Sequence, residues 1–156
     1  MSIRKAARGN LPLEDQTFVA LQQAADSLVQ EAASLLKLHG LTGSQYNVLR
    51  ILRGAGADGL PCSSIGSRMI SHDPDMTRLL DRMEKRGLIT RQRQTQDRRV
   101  VKTCITAEGL EFLKRLDQPV RELHKRQFRH MPAARLKALW ELLAEMNAGS
   151  AKTAQE

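Results

Sequence analysis

The apolar positions change period along the chain, and those changes divide it into elements. From Pro12 to Leu38, the residues Phe18, Leu21, Ala25, Leu28, Ala32 and Leu35 recur at gaps of three and four, the spacing that lays one apolar seam along a long helix. A seam of this length predicts a partner surface, either in the same domain or on a second chain. Gly40 follows as a helix-ending glycine. Thr42-Gly43-Ser44-Gln45 has the form of a capping box. It opens a helix to about Arg53 with Tyr46, Leu49 and Leu52 on one face, and Gly54 to Gly59 reads as a loop. Pro61 suits a first helical turn, and a short helix is predicted from there to about Ile70, with Ile65 and Met69 inward. Ser71 and His72 connect it to a helix over 73–87. There Asp73 is the expected cap, Pro74 the first residue, and Met76, Leu79, Leu80 and Met83 the buried stripe. Gly87 closes that helix and Leu88 supplies the apolar contact after it.

The period then falls to two. Ile89 to Arg93 and Arg99 to Ile105 read as strands flanking residues 94–98. Thr106 caps a further helix to about Arg129, along which Leu110, Leu113, Leu116, Val120 and Leu123 run and Pro119 predicts a kink. A last helix spans Pro132 to Met146 with Leu136, Leu139, Trp140, Leu143 and Met146. Residues 1–10 read as a flexible basic arm and 150–156 as a frayed tail. The order is a mainly α chain with a two-stranded β wing. Two short helices, a tight turn and a basic hairpin make a winged helix-turn-helix over 41–106, inside a single domain of 11–149. The helix over 73–87 has the size to enter a DNA major groove, and the hairpin tip to reach a minor groove.

Composition narrows the function. The chain has 156 residues, a net charge of +8, 41% hydrophobic residues and 3% aromatics. That is enough apolar material for a core, too few aromatics for a single-strand binder built on base stacking, and no apolar stretch reaches the ~18 residues of a membrane span. The start, Met1 to Asn10, lacks the apolar block of a signal peptide. Two cysteines, Cys62 and Cys104, exclude a disulfide scaffold and fit a reducing cytoplasm. From Arg82 to Lys102 there are eight Lys/Arg against two acids, Glu84 and Asp97. Such a concentration attracts a polyanion.

Four stretches resemble the multiple-antibiotic-resistance regulators, the MarR family: Leu41-Thr42-Gly43-Ser44-Gln45-Tyr46-Asn47-Val48-Leu49, then Thr77-Arg78-Leu79-Leu80-Asp81-Arg82-Met83-Glu84-Lys85-Arg86-Gly87-Leu88-Ile89, then Asp97-Arg98-Arg99, then Ile105-Thr106-Ala107-Glu108-Gly109. Their order and spacing agree with the family, although Ile65-Gly66 stands where Leu-Ala is commoner. The resemblance implies a cytoplasmic homodimeric transcription regulator, usually a repressor. Its N- and C-terminal dimerisation helices (12–40 and 107–149) would pair, and it would bind palindromic double-stranded DNA. It also implies release by a small amphipathic or phenolic effector. No metal or further cofactor is expected. By the same resemblance Arg78 matches a base-reading position, with Thr77 and Arg82 beside it. Asp97 matches the acid that steadies the wing, and Arg98 and Arg99 match its basic tip.

The remaining candidates follow from charge and position. Arg78 lies between the buried positions 76 and 79, so it points outward, to a base or to Asp75 or Asp81. Lys85, Arg86, Arg91, Arg93 and Lys102 are expected to neutralise phosphates. Asp75 puts negative charge near the start of the recognition helix, where it either accepts from cytosine N4 or weakens binding. An effector pocket is expected between the helices over 12–38, 43–53 and 107–129, lined by His39, Tyr46 and Phe112. Cys62 opens a helix, a setting in which thiols become reactive, so a thiol-based redox-sensing regulator is an alternative to an inert small residue there. His124 and His130, six apart, do not share a helix face. No phosphate loop, H-E-x-x-H or nucleophile elbow is present, so no enzyme is expected. A helical protein-interaction module without DNA binding is the rival of a different class.

Overall fold

The computed structural model describes residues 11–93 and 101–153. The arm 1–10, the hairpin tip 94–100 with Asp97, Arg98 and Arg99, and residues 154–156 lie outside them. The elements are α1 (Leu13–Leu38), α2 (Gly43–Ala55), β1 (Leu60–Pro61), α3 (Cys62–Gly66), α4 (Met76–Lys85), β2 (Ile89–Arg93), β3 (Val101–Ile105), α5 (Ala107–Phe128) and α6 (Ala133–Thr153). They fall into two compact units, one up to Val120 and one from Arg121 onward, so the division lies within α5 just after Pro119.

The core of the first unit gathers Leu36, Leu41, Val48, Leu49, Leu52, Ile65, Leu79, Leu80, Met83, Leu88, Ile89, Leu113, Leu116 and Val120. The stripes read from α2, α3, α4 and α5 as far as Val120 thus converge on one interior, with the exception of Leu110, which faces solvent; Leu123, further along the α5 stripe, is buried in the second unit. The capping box of α2 is formed: the Gln45 amide N–H donates to Thr42 Oγ1 at 3.2 Å, and the Thr42 N–H donates to Gln45 Oε1 at 3.1 Å. Gly40 and Gly87 take positive φ, as glycines ending a helix do.

Four expectations are corrected. The sheet has three strands, in the order β1-β3-β2, because Leu60 and Pro61 pair antiparallel with Thr103 and Lys102. Two residues carry no readable alternation, and Pro61 fits only because β1 is an edge strand. The supporting helix α3 ends at Gly66 instead of near Ile70. The recognition helix α4 begins at Met76, and its cap is Asp75, not Asp73. Asp75 Oδ1 accepts from the Arg78 N–H at 3.2 Å, while Asp73 Oδ1 accepts from the Asp75 N–H at 3.0 Å and shapes the turn before it. Finally, α6 continues through Gly149 to Thr153, past the expected end at Met146. No proline interrupts this stretch, although it lacks an apolar rhythm.

Two helices leave apolar faces uncovered. Only Leu36 of α1 is buried, and Leu13, Phe18, Val19 and Val29 lie exposed. In the second unit Trp140, Leu142 and Met146 of α6 are exposed as well.

Candidate nucleic-acid interface

Helix α4 is sharply two-sided. Leu79, Leu80 and Met83 enter the core, while Thr77, Arg78, Arg82 and Lys85 stand on the solvent side. The i, i+3, i+4 spacing of the apolar residues forces this separation. The Arg78 side chain is 82% exposed, and its Nε lies 3.1 Å from Asp75 Oδ2. Arg78 thus points outward as expected, and it is paired with Asp75, the alternative to a base contact.

Two of the expected phosphate neutralisers are engaged within the fold. Arg91 on β2 reaches back to α4, its Nη2 2.6 Å from both Asp81 Oδ1 and Glu84 Oε2, and its Nε donates to Glu84 Oε2 at 2.9 Å. The Arg91 backbone N–H donates to Glu84 Oε1 at 3.0 Å. With its side chain only 27% exposed, Arg91 fastens the root of the wing to the recognition helix. Arg86 donates from Nη1 to the Gly40 carbonyl at 2.8 Å and to Gln45 Oε1 at 3.4 Å, tying the end of α4 to the α1–α2 junction. Sequence reading missed both ties. For Arg91 a signal lay in the acids, since Glu84 is one of just two in the basic run; for Arg86, held by a backbone carbonyl and an amide oxygen, there was none. Arg93 is exposed on β2 and Lys102 half-buried on β3, opposite Gln92.

The pairing with Arg91 lowers the Glu84 carboxyl below its ordinary value of 4.5, chiefly through the side-chain hydrogen bond. A carboxyl with a lower pKa folded than unfolded adds stability above its unfolded pKa, lost as pH falls through the folded value. Glu84→Gln is therefore expected to flatten the acid side of the stability–pH curve below about pH 4.5, with little change in its neutral shape. Urea midpoints taken from pH 3 to 7 measure this, and parallel wild-type and variant curves would contradict it.

The stretch 105–109 forms a second fastening. Thr106 Oγ1 donates to the Gly87 carbonyl at 2.6 Å and accepts from the Gly109 N–H at 3.0 Å. The Thr106 N–H donates to the Leu88 carbonyl at 3.1 Å. The start of α5 is thereby bolted to the end of the recognition helix. A Cβ on Gly109 would run into that same Leu88 carbonyl and lie 2.8 Å from Ile105 Cγ1. Gly109→Ala is expected to destabilise by about 1–3 kcal/mol, because the obstructing oxygen belongs to the backbone. Gly54 in α2 has open space around it, so Gly54→Ala should instead stabilise by about 0.5–1 kcal/mol. Thermal unfolding of the two variants reads the opposite signs directly.

The candidate effector residues separate. Tyr46 and Phe112 are half-buried against the core, with Arg50 5.9 Å from the Tyr46 ring centre and Arg115 5.3 Å from that of Phe112. Burial, helped by Asp117, raises the Tyr46 phenol above its ordinary 10.0 against the opposing pull of Arg50 and Arg53. The same Asp117 pairs with Arg53 at 2.9 Å, joining α2 to α5. His39 is exposed at the end of α1. Cys62 is exposed at the start of α3, and the Cys104 thiol lies 3.8 Å from the Ala57 carbonyl.

A supporting helix, a connecting segment, an amphipathic cationic helix and an antiparallel strand pair, in that order, make a winged helix-turn-helix, the DNA-binding unit of a transcription regulator. The comparisons agree. A family model described as the MarR family matches residues 41–101. The homoprotocatechuate degradative operon repressor of Escherichia coli is 27% identical over 133 residues, covering 85% of this chain and 88% of that protein. The HTH-type transcriptional repressor IacR of Pseudomonas putida is 29% identical over 130 residues, 83% of this chain and 77% of its own. Among solved structures, a MarR transcription factor from Planctomyces limnophilus is 35% identical with a TM-score of 0.68, covering 86% of this chain and 98% of that one. The S. aureus MepR–DNA complex shares the fold at 18% identity with a TM-score of 0.75, over 90% of this chain and 99% of the other. The chain belongs to the MarR family of winged-helix transcriptional regulators.

Proposed function

We propose that the chain is a homodimeric, cytoplasmic repressor that binds a palindromic operator and lets go when a small amphipathic or phenolic molecule binds. The observation that carries this is the two-sidedness of α4: its inner face is locked into the core, and its outer face presents Thr77, Arg78, Arg82 and Lys85. A helix held in this way can enter a major groove, with Arg78 on base edges and Arg82, Lys85, Arg93 and Lys102 on phosphates. Arg98 and Arg99 would extend this from the wing tip, steadied by Asp97. The uncovered apolar faces of α1 and α6 supply surfaces for a second copy. Pairing sets two recognition helices at the ~34–36 Å separation of successive major grooves.

The effector site of this reading lies between α1, α2 and the first half of α5, where Tyr46 offers a neutral phenol and Phe112 a ring. One E. coli relative is, by name, a repressor of an operon degrading homoprotocatechuate, a name that suits an effector of the phenolic class. Among the described residues no helix is long and apolar enough to cross a membrane. The family is a class of regulators and not of enzymes.

Selecting bound sequences from a random duplex pool tests the proposal. An enriched inverted repeat with half-sites one helical turn apart is the expected result. A pool that stays random after several rounds would sink it.

A further inference from the structure

The recognition helix opens on a carboxylate, which is an unusual thing to offer to DNA. The Asp75 side chain is 47% exposed, and both of its oxygens are committed. Oδ1 accepts from the Arg78 backbone N–H at 3.2 Å and so caps α4. Oδ2 lies 3.1 Å from Arg78 Nε. One residue thus holds another at two points, backbone and side chain. The closest approach is through Nε, on a side chain that is 82% exposed, and a carboxylate held at Nε leaves the end-on edge of a guanidinium, its pair of Nη groups, for another partner. That pair matches the O6 and N7 acceptors of guanine. An exposed ion pair of this kind adds little to stability. Its effect is on direction: a long side chain with several rotamers is steered toward one pose before DNA arrives. Asp73 is engaged in the turn before the helix, where its Oδ1 accepts from the Asp75 N–H at 3.0 Å.

We propose that Asp75 is a specificity-determining positioning residue: it aims Arg78 so that each half-site is read at a guanine, and its charge lowers affinity for unrelated DNA. The proposal rests on the reading of α4 as the DNA-contacting helix. Asp75 touches no base; it acts through Arg78. The two effects of the carboxylate act on different quantities, the first on preference between duplexes and the second on overall affinity. Aiming the fork favours the matched duplex, and repulsion from phosphates penalises every duplex alike.

The test uses the full chain, the duplex selected from the random pool, and the same duplex with the guanine in question replaced. Asp75→Ser keeps a strong helix cap but removes the hold on Nε. It is expected to unfold at nearly the wild-type temperature and to bind unrelated duplex several-fold more tightly. Its preference for guanine over the other bases should drop on the order of fivefold, within the usual range for coupled contacts. Arg78→Ala should abolish the preference, and adding Asp75→Ser to it should change the preference no further. An unaltered base preference in Asp75→Ser, while Arg78→Ala loses it, overturns the role of Asp75 and leaves the interface standing. A preference untouched by Arg78→Ala overturns both.

Discussion

Leu79→Ala is expected to remove about 2–5 kcal/mol of folding stability, a far larger effect than any truncation on the outer face of the recognition helix. Leu79 is 1% exposed and sits in the interior with Leu49, Leu52, Ile65, Leu80 and Met83. Neighbours from several helices and the wing's first strand frame that space, so it cannot close over a lost isobutyl group without moving one of them. The urea midpoint should fall while the slope with denaturant stays the same. Protein concentration must be held fixed, because association with a second copy would add to the apparent stability. Lys85→Ala, on the outer face of the same helix, should stay within about 0.5 kcal/mol. Equal midpoints for the two variants would show that α4 is not seated by its apolar stripe.

Arg78→Ala should weaken binding to the selected operator by about 1–3 kcal/mol, roughly 5- to 150-fold, and relax sequence preference at one position of each half-site. Titrations of matched and mismatched duplexes at one salt concentration measure both. Arg93→Ala is expected to act differently: it should weaken all duplexes alike and reduce the salt slope by about 1. The structure separates a third case that charge alone does not. Arg91 already faces Asp81 and Glu84, so its replacement should loosen the wing root and leave the salt slope almost unchanged.

Much of this was legible in the chain because it is written in short-range spacing. The capping box at Thr42 and Gln45, the apolar stripe of α4 and the glycines after α1 and α4 depend on neighbours three or four residues away. So does the outward direction of Arg78, once Met76 and Leu79 are known to face in. Residue identity also marked the four family stretches, and Gly109 shows why one of those residues is small: another segment's carbonyl passes where a Cβ would go.

What only the folded chain decided is which charges are drawn into the fold among the described residues. Arg86, Arg91 and Arg93 look alike in sequence, yet one grips the α1–α2 junction, one grips two carboxylates on α4, and one faces solvent. The same holds for β1, whose two residues became a strand only because β3 passed beside them. A hydrogen bond to a distant carbonyl leaves no period behind it. Local pattern therefore determined the helices and their faces, and long-range contact determined which cations remained for DNA.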